Sequence, residues 1–240
     1  MHTQRGRLWF SQVEQLLSPD DIAQAKVVDD LAFGVHQGIS IEELERIRDQ
    51  GGLLGIRNEK GQVIGHIQII FEPIGSQPAH LAPDEAYCCG IAVHPSFQGQ
   101  GIGMALALAQ EQLAVEHGKK WLSLSVRPEN RPALALWFKQ GFRIYDYDPH
   151  CYGDNEDKDG RLLMKKDLTE PRIEIASLPE NIPELHTVAE VQKAIKQGEP
   201  VFALRIRSVD ALDRDARALI KLAINQGYYG ILCLESITFW

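Results

Sequence analysis

The sequence predicts an α+β fold, and three observations carry that reading. Short stretches of apolar alternation mark strands, capped helical segments fall between them in the order β, α, α, β, β, β, α, β, α, β, β, and a glycine-rich turn joins the fourth strand to its helix. After a joint at Glu170-Pro171 the pattern becomes βαβαβ. Residues 1–168 therefore read as one domain and residues 171–240 as a small second α/β domain.

The elements follow in order. Arg7 to Val13 reads as a short strand. Ser18-Pro19-Asp20-Asp21 caps a helix running towards Phe33, with proline at the first helical position. Ser40 caps a second helix, and Glu43 sits three residues on, as a capping box requires. Leu53 to Arg57 and Val63 to Ile70, joined through Asn58-Glu59-Lys60-Gly61, form a β-hairpin. A proline-bearing loop from Glu72 to Glu85 leads into the strand Ala86 to Val93, which His94-Pro95 ends. The helix after the glycine turn carries Leu106, Ala109 and Leu113 on one face and stops at Gly118. Trp121 to Val126 is a strand, Asn130 caps a helix ended by Gly141, and Phe142 to Tyr147 with Arg161 to Lys165 supply the closing strands. In the second domain the expected elements are Ile173 to Leu178, Val188 to Lys196, Val201 to Arg207, Leu212 to Asn225 and Tyr228 to Ile237.

Composition bounds the function. A net charge of −8 with no basic segment disfavours nucleic acid, because phosphate binding needs clustered cations. No apolar run approaches the roughly 18 residues of a membrane span, and the first ten residues lack the apolar core of a signal peptide. Cys88, Cys89, Cys151 and Cys233 form no C-x-x-C pair, so reduced thiols and a cytoplasmic setting are expected. Asn155-x-Asp157-x-Asp159-Gly160 is similar to the opening of a calcium loop, but Lys166 stands where a bidentate glutamate is needed. No metal is expected. A small second domain is expected to pack on the first or on another subunit, which allows a homodimer through residues 171–240.

The glycine turn, Gln98-Gly99-Gln100-Gly101-Ile102-Gly103, carries the chemistry. A strand that enters a helix through closely spaced glycines presents backbone N–H groups at the positive end of the helix dipole, and that combination binds phosphate. The spacing is neither the dinucleotide G-x-G-x-x-G nor a P-loop, which lacks support without Gly-Lys-Ser/Thr.

The segment from Cys89 to Gly103 resembles the strand, turn and helix signature of the GNAT acetyltransferase superfamily, whose core reads Gln/Arg-x-x-Gly-x-Gly/Ala. Downstream, Asn130-Arg131-Pro132-Ala133-Leu134-Ala135-Leu136-Trp137-Phe138-Lys139-Gln140-Gly141-Phe142 is similar to the family's Asn-x-x-Ala-x-x-Leu-Tyr-x-x-x-Gly-Phe. The resemblance spans about residues 5–168. It implies a mixed, mostly antiparallel sheet flanked by helices, acetyl-CoA as cosubstrate, and direct attack by an amine acceptor on the thioester. It also implies a cofactor site made by Ile91, Ala92 and Val93 on the fourth strand, by Gln98, Gly99, Gln100, Gly101, Ile102, Gly103 and Met104 in the turn, and by Asn130 and Trp137. The pantetheine arm would pair with the open strand edge at Ile91 and Val93, where the fourth and fifth strands splay apart.

The closing strands look like those of RimI-type N-terminal acetyltransferases, which place a glutamate in the fifth strand and a tyrosine in the following helix. Those two positions here hold Ser125 and Trp137. An unaided serine is no base and an indole N–H is far too weak an acid. Replacement candidates for proton transfer are Glu85 and Tyr87 at the start of the fourth strand and Tyr145, Tyr147, His150 or Tyr152 near the sixth, of which Glu85, Tyr87, Tyr145 and Tyr152 are the leading set. The acceptor is expected to be read by the loops Phe33 to Ser40 and Glu72 to Glu85.

Overall fold

The computed structural model describes residues 9–34, 38–74, 81–127, 130–148 and 160–169, and further on 184–185, 188–197, 202–206 and 230–234. By its internal contacts the chain divides into two compact units, residues 1–124 with 167–171, and residues 125–166 with 172–240.

The first helices form where local chemistry puts them. Helix α1, Pro19–Phe33, begins at a capping box in which Ser18 accepts from Asp21 N while the Asp21 carboxylate accepts from Ser18 N. Asp21 also binds the Arg57 guanidinium, which reaches Glu14 as well. Burial alone would raise the Asp21 pKa, but the hydrogen bonds from Arg57, Ser18 and Leu17 outweigh it and lower the value to about 2. Helix α2, Ile41–Asp49, starts on the predicted Ser40–Glu43 capping box.

Strand β1 is Glu14–Gln15; of the expected strand Arg7 to Val13, residues 7 and 8 lie outside the described residues and residues 9–13 are not strand. Trp9 and Phe10 instead form a helical turn, closed by Gln12 N to Trp9 O and Val13 N to Phe10 O. The strand begins only where a partner is available, with Glu14 opposite Gly55 and Gln15 opposite Leu54.

Strands β2, Leu53–Arg57, and β3, Val63–Ile70, make the predicted hairpin, and β3 pairs antiparallel with β4, Glu85–Val93. Every residue of β3 is buried, so the strand lies in the middle of the sheet with a helix on each face. Helices α1 and α2 cover one face, burying Leu16, Ile22, Val28, Leu44 and Ile47. Helix α3, Ile102–Glu116, packs on β3 and β4. It sits close because β3 offers Gly65, where an added Cβ would lie 2.9 Å from Ile102 Cγ2. Its buried face runs through Ile102, Leu106, Gln110 and Leu113. Ala109, expected on that face, is only half-buried, because the helix turns its inner line one residue away.

Strand β5, Trp121–Val126, pairs parallel with β4. Beyond it come helix α4, Arg131–Lys139, and strands β6, Arg143–Asp148, and β7, Arg161–Asp167, which pair antiparallel. The strand order is β1-β2-β3-β4-β5-β7-β6, a mixed and mostly antiparallel seven-stranded sheet, as expected.

The C-terminal strands are β8, Glu184–Leu185, β9, Phe202–Ile206, and β10, Gly230–Leu234, with helix α5, Val188–Gln197, between the first two. All pair in parallel in the order β10-β9-β8, so each connection is a crossover. The expected strand Ile173 to Leu178 and helix Leu212 to Asn225 lie outside the described residues. No helix among the described residues is long and apolar enough to cross a membrane.

Candidate active site

Strand β4 is irregular where the site is expected. Gln68 of β3 lies opposite Gly90 and Ile69 opposite Cys88, so Cys89 is an extra residue, a β-bulge. The bulge changes which side chains face α1 and α2. Tyr87 and Cys89 pack on that core before it, and Ala92 does so after it, a switch from odd to even positions.

The ladder between β4 and β5 covers only Glu85–Cys88 against Trp121–Leu124. From Gly90 onward, β4 keeps β3 on one edge and has left the β5 ladder on the other. His94 N donates to Ile64 O at 2.9 Å, which fixes His94, and by alternation Ala92, towards β3. Ile91 and Val93 then turn their backbone N–H and C=O to the opposite edge. Gln98 Nε2 donates to Val93 O at 3.1 Å on that side, tying the turn to the strand.

A 3-10 turn, Pro95–Phe97, follows, with His94 Nδ1 accepting from Ser96 N. Gly99 has φ of +73° and Gly101 +89°, left-handed values that only glycine adopts without strain. Gly101 is the N-cap of α3 and supplies no side-chain cap. Its carbonyl accepts from Ala105 N as the first helical hydrogen bond. A Cβ at Gly99 would meet nothing within 4 Å, so the approach to the turn is open. The tip is held from outside, by Trp9 Nε1 donating to Gln100 O at 3.1 Å. A groove of about 320 Å³ lies beside the turn, between α1 and the His94–Phe97 segment, and none of the predicted site residues lines it.

The remaining candidates separate by position. Glu85 and Tyr87 are half-buried on β4, and Tyr87 lies in register with Ser123, whose Oγ donates to Ala86 O at 3.4 Å. Asn130 caps α4 by accepting from Ala133 N. Trp137 is 3% exposed and packs edge-to-face on Phe142, with ring centroids 5.2 Å apart. Tyr145 is 43% exposed, and Tyr152 lies outside the described residues. Burial pushes the Cys89 thiol up to about 12, with the Glu43 carboxylate adding to the rise, and raises Cys88 well above its ordinary value. Neither thiol is ionised near neutral pH. Among the described residues no group of three or more His, Cys, Asp or Glu side chains is placed to hold a metal ion.

A buried polar cluster under β4 escaped the sequence reading. Asp29 Oδ2 accepts from Ile39 N at 2.8 Å and Asp29 Oδ1 from Gln68 Nε2 at 3.2 Å, and Gln68 Nε2 also lies 3.4 Å from His66 Nδ1. Gly38 and Gly90 make room for it, since a Cβ at Gly38 would lie 2.5 Å from Asp29 Oδ2 and one at Gly90 3.1 Å from Gln68 Oε1. The cluster thus joins the end of the expected acceptor loop to the bulged strand. Its only trace in the sequence is a histidine and a glutamine inside an otherwise apolar strand.

The family model of the acetyltransferase (GNAT) family matches residues 14–142, more than half of the chain. The chain belongs to the GNAT acetyltransferase family. Among its relatives, a mycothiol acetyltransferase of Amycolatopsis mediterranei is 34% identical over 42% of this chain and 33% of its own length. A putative ribosomal protein bS18-alanine N-acetyltransferase of Bacillus subtilis is 35% identical over 31% of this chain and 50% of its own length. The chain therefore aligns with half or less of each of these two relatives. Among solved structures, the ribosomal-protein-S18-alanine N-acetyltransferase of Escherichia coli matches 71% of this GNAT chain and 97% of its own, with a TM-score of 0.52 at 20% identity. The yncA putative acetyltransferase of Salmonella typhimurium, solved with its cofactor acetyl-CoA, matches 70% and 98% with a TM-score of 0.52 at 16% identity. At such identities the agreement is one of fold.

Proposed function

We propose that this GNAT chain is an N-acetyltransferase that moves an acetyl group from acetyl-CoA to an amine, a peptide N-terminus, a lysine or a small amine, by direct attack in a ternary complex. The observation that carries the reading is the junction of β4 with α3. An open strand edge at Ile91 and Val93 runs into a left-handed glycine turn at a helix N-terminus, which suits an amide-bearing arm followed by a diphosphate. Ile91, Ala92 and Val93 would take the arm, and Gln98 to Met104 the diphosphate. Asn130 and Trp137 complete the proposed set from the family motif.

The amine nitrogen attacks the thioester carbonyl carbon, the C–S bond breaks, the thiolate leaves and takes a proton, and the acceptor nitrogen gives one up. A backbone N–H near the bulge would stabilise the charge that develops on the carbonyl oxygen. The raised pKa values of Cys88 and Cys89 argue against a covalent acyl intermediate on either of these two thiols, in keeping with direct transfer. Proton transfer is assigned to Glu85, Tyr87, Tyr145 or Tyr152, because Ser125 and Trp137 occupy the customary positions and neither can do it. That same replacement favours a second reading, an acetyl-CoA-binding regulatory protein with little or no turnover. We further propose residues 1–168 as the acetyl-CoA-binding domain and 171–240 as a separate small domain that can mediate a homodimer.

Calorimetry with acetyl-CoA and a thiol-release assay with an N-terminal alanine peptide, a lysine peptide and small primary amines test the two readings. Binding with turnover is the expected result. Binding without turnover on any acceptor would favour the regulatory reading, and no binding at millimolar acetyl-CoA would sink both. Tyr87→Phe and Glu85→Gln are each expected to lower kcat by about 10²-fold or more if that residue is the acid or base, with acetyl-CoA affinity unchanged.

A further inference from the structure

The hydrogen bond from Trp9 to Gln100 lies outside the family match, which begins at residue 14, and it touches the tip of the glycine turn. A peptide group is planar and trans, so its C=O and its N–H point in opposite directions. The Gln100 carbonyl and the Gly101 N–H belong to one such plane. With the carbonyl turned to the Trp9 indole, the Gly101 N–H is directed away from Trp9, at the N-cap of α3.

That plane is free to turn unless something holds it. Gly101 has φ of +89°, and a glycine on the C-terminal side of the peptide permits either orientation at little steric cost. Rotation by about half a turn would replace an N–H by a carbonyl oxygen at the anion position, exchanging attraction for repulsion. A donor fixed on the carbonyl blocks that rotation, and it also polarises the amide so that its N–H becomes a stronger donor.

We propose that Trp9 is a positioning residue for the diphosphate of acetyl-CoA, locking the Gln100–Gly101 peptide with its N–H towards the ligand. The inference rests on the function proposed above and adds to it a residue from outside the family match. Trp9 acts through the turn, so its effect is confined to ligands that carry a diphosphate.

The test compares the wild-type chain with Trp9→Phe, which keeps a ring and removes the N–H. Two probes are used: acetyl-CoA by calorimetry, and S-acetylpantetheine, which lacks the diphosphate, by ligand-observed NMR. The expected result is a 5- to 10-fold weaker Kd for acetyl-CoA, about the worth of one hydrogen bond, with S-acetylpantetheine binding unchanged. Equal acetyl-CoA affinity in the two proteins would overturn the role of Trp9, and so would equal losses for both probes, which would mark a purely structural part. Wild-type protein that fails to bind acetyl-CoA at all would overturn the proposed function itself, a separate outcome. Where Trp9→Phe does not fold, β-(3-benzothienyl)alanine at position 9 keeps the bicyclic shape without the donor and gives the same comparison.

Discussion

His66 makes the stability of this fold depend on pH, with a sign and a size that follow from its surroundings. The ring is fully buried in β3, and burial lowers its pKa from 6.5 to about 4 despite a hydrogen bond to the Ala25 backbone that opposes the drop. Asp29 Oδ1 lies 3.8 Å from His66 Nε2, which alone would favour the charged ring. That distance is too long for a hydrogen bond, and both Asp29 oxygens already accept, from Ile39 N and Gln68 Nε2. Burial wins, and His66 stays neutral. Below pH 6.5 the unfolded chain takes up a proton that the folded chain refuses, so stability is whole above about 6.5 and falls as the pH drops towards 4. At about 1.4 kcal/mol per pH unit, the interval from 6.5 to about 4 caps the loss at about 3 kcal/mol. Asp29 acts in the opposite direction, since burial raises its pKa and the folded state gains stability as the pH falls through the raised value. The measurement is therefore a difference. Urea unfolding of wild type and His66→Asn from pH 7.5 to 4.5 largely cancels Asp29, which titrates in both. The variant should gain about 2–3 kcal/mol on the wild type over that range. A constant gap would mean that His66 titrates alike in both states. A gap moving the other way would mean that the folded ring is charged and paired with Asp29. Either result would refute the reasoning.

Two further changes test the packing that holds the site. A Cβ at Gly52 would lie 1.8 Å from the Ile69 main-chain oxygen, and Ile69 N is hydrogen-bonded to Gly52 O, so neither strand can yield. Gly52→Ala should cost about 3 kcal/mol or more, read as a fall in Tm of several degrees at least. Gln110 is fully buried in α3, and neither its Nε2 nor its Oε1 has a hydrogen-bond partner among the described residues. Gln110→Met keeps the volume and removes the polar atoms, and should raise stability by about 1–2 kcal/mol in urea unfolding, whereas a loss would show that the amide is satisfied.

What the sequence disclosed about this chain was what depends on neighbours a few residues apart. Ser18 with Asp21 and Ser40 with Glu43 are capping boxes closed within one turn, and each helix starts where they say. The glycine turn is equally local, since its φ values belong to Gly99 and Gly101 themselves. What escaped is set by partners far along the chain. Apolar residues near Phe10 suggest a strand, but β1 is decided by the register with Leu54 and Gly55, some forty residues on. The bulge at Cys89 exists only as a mismatch between β3 and β4, and nothing in Tyr87-Cys88-Cys89-Gly90 announces it. Asp29, Gln68 and His66 meet across α1 and β3, and Trp9 reaches Gln100 across 91 residues.

Among the described residues, strand β4 is an interior strand for its first half and a margin for its second. A margin of that kind invites another chain to add a strand, the usual route by which sheets join between molecules. Here the invitation is short and guarded at both ends. The bulge at Cys89 twists the strand just where the β5 ladder stops, and Pro95, two residues past Val93, has no N–H to continue a ladder. Among the described residues only Ile91 and Val93 remain to offer hydrogen bonds on that edge, and Val93 O already accepts one from Gln98, too few to nucleate a foreign strand and enough for a ligand with two amides. The geometry that leaves the margin open to a small molecule is the same geometry that closes it to aggregation.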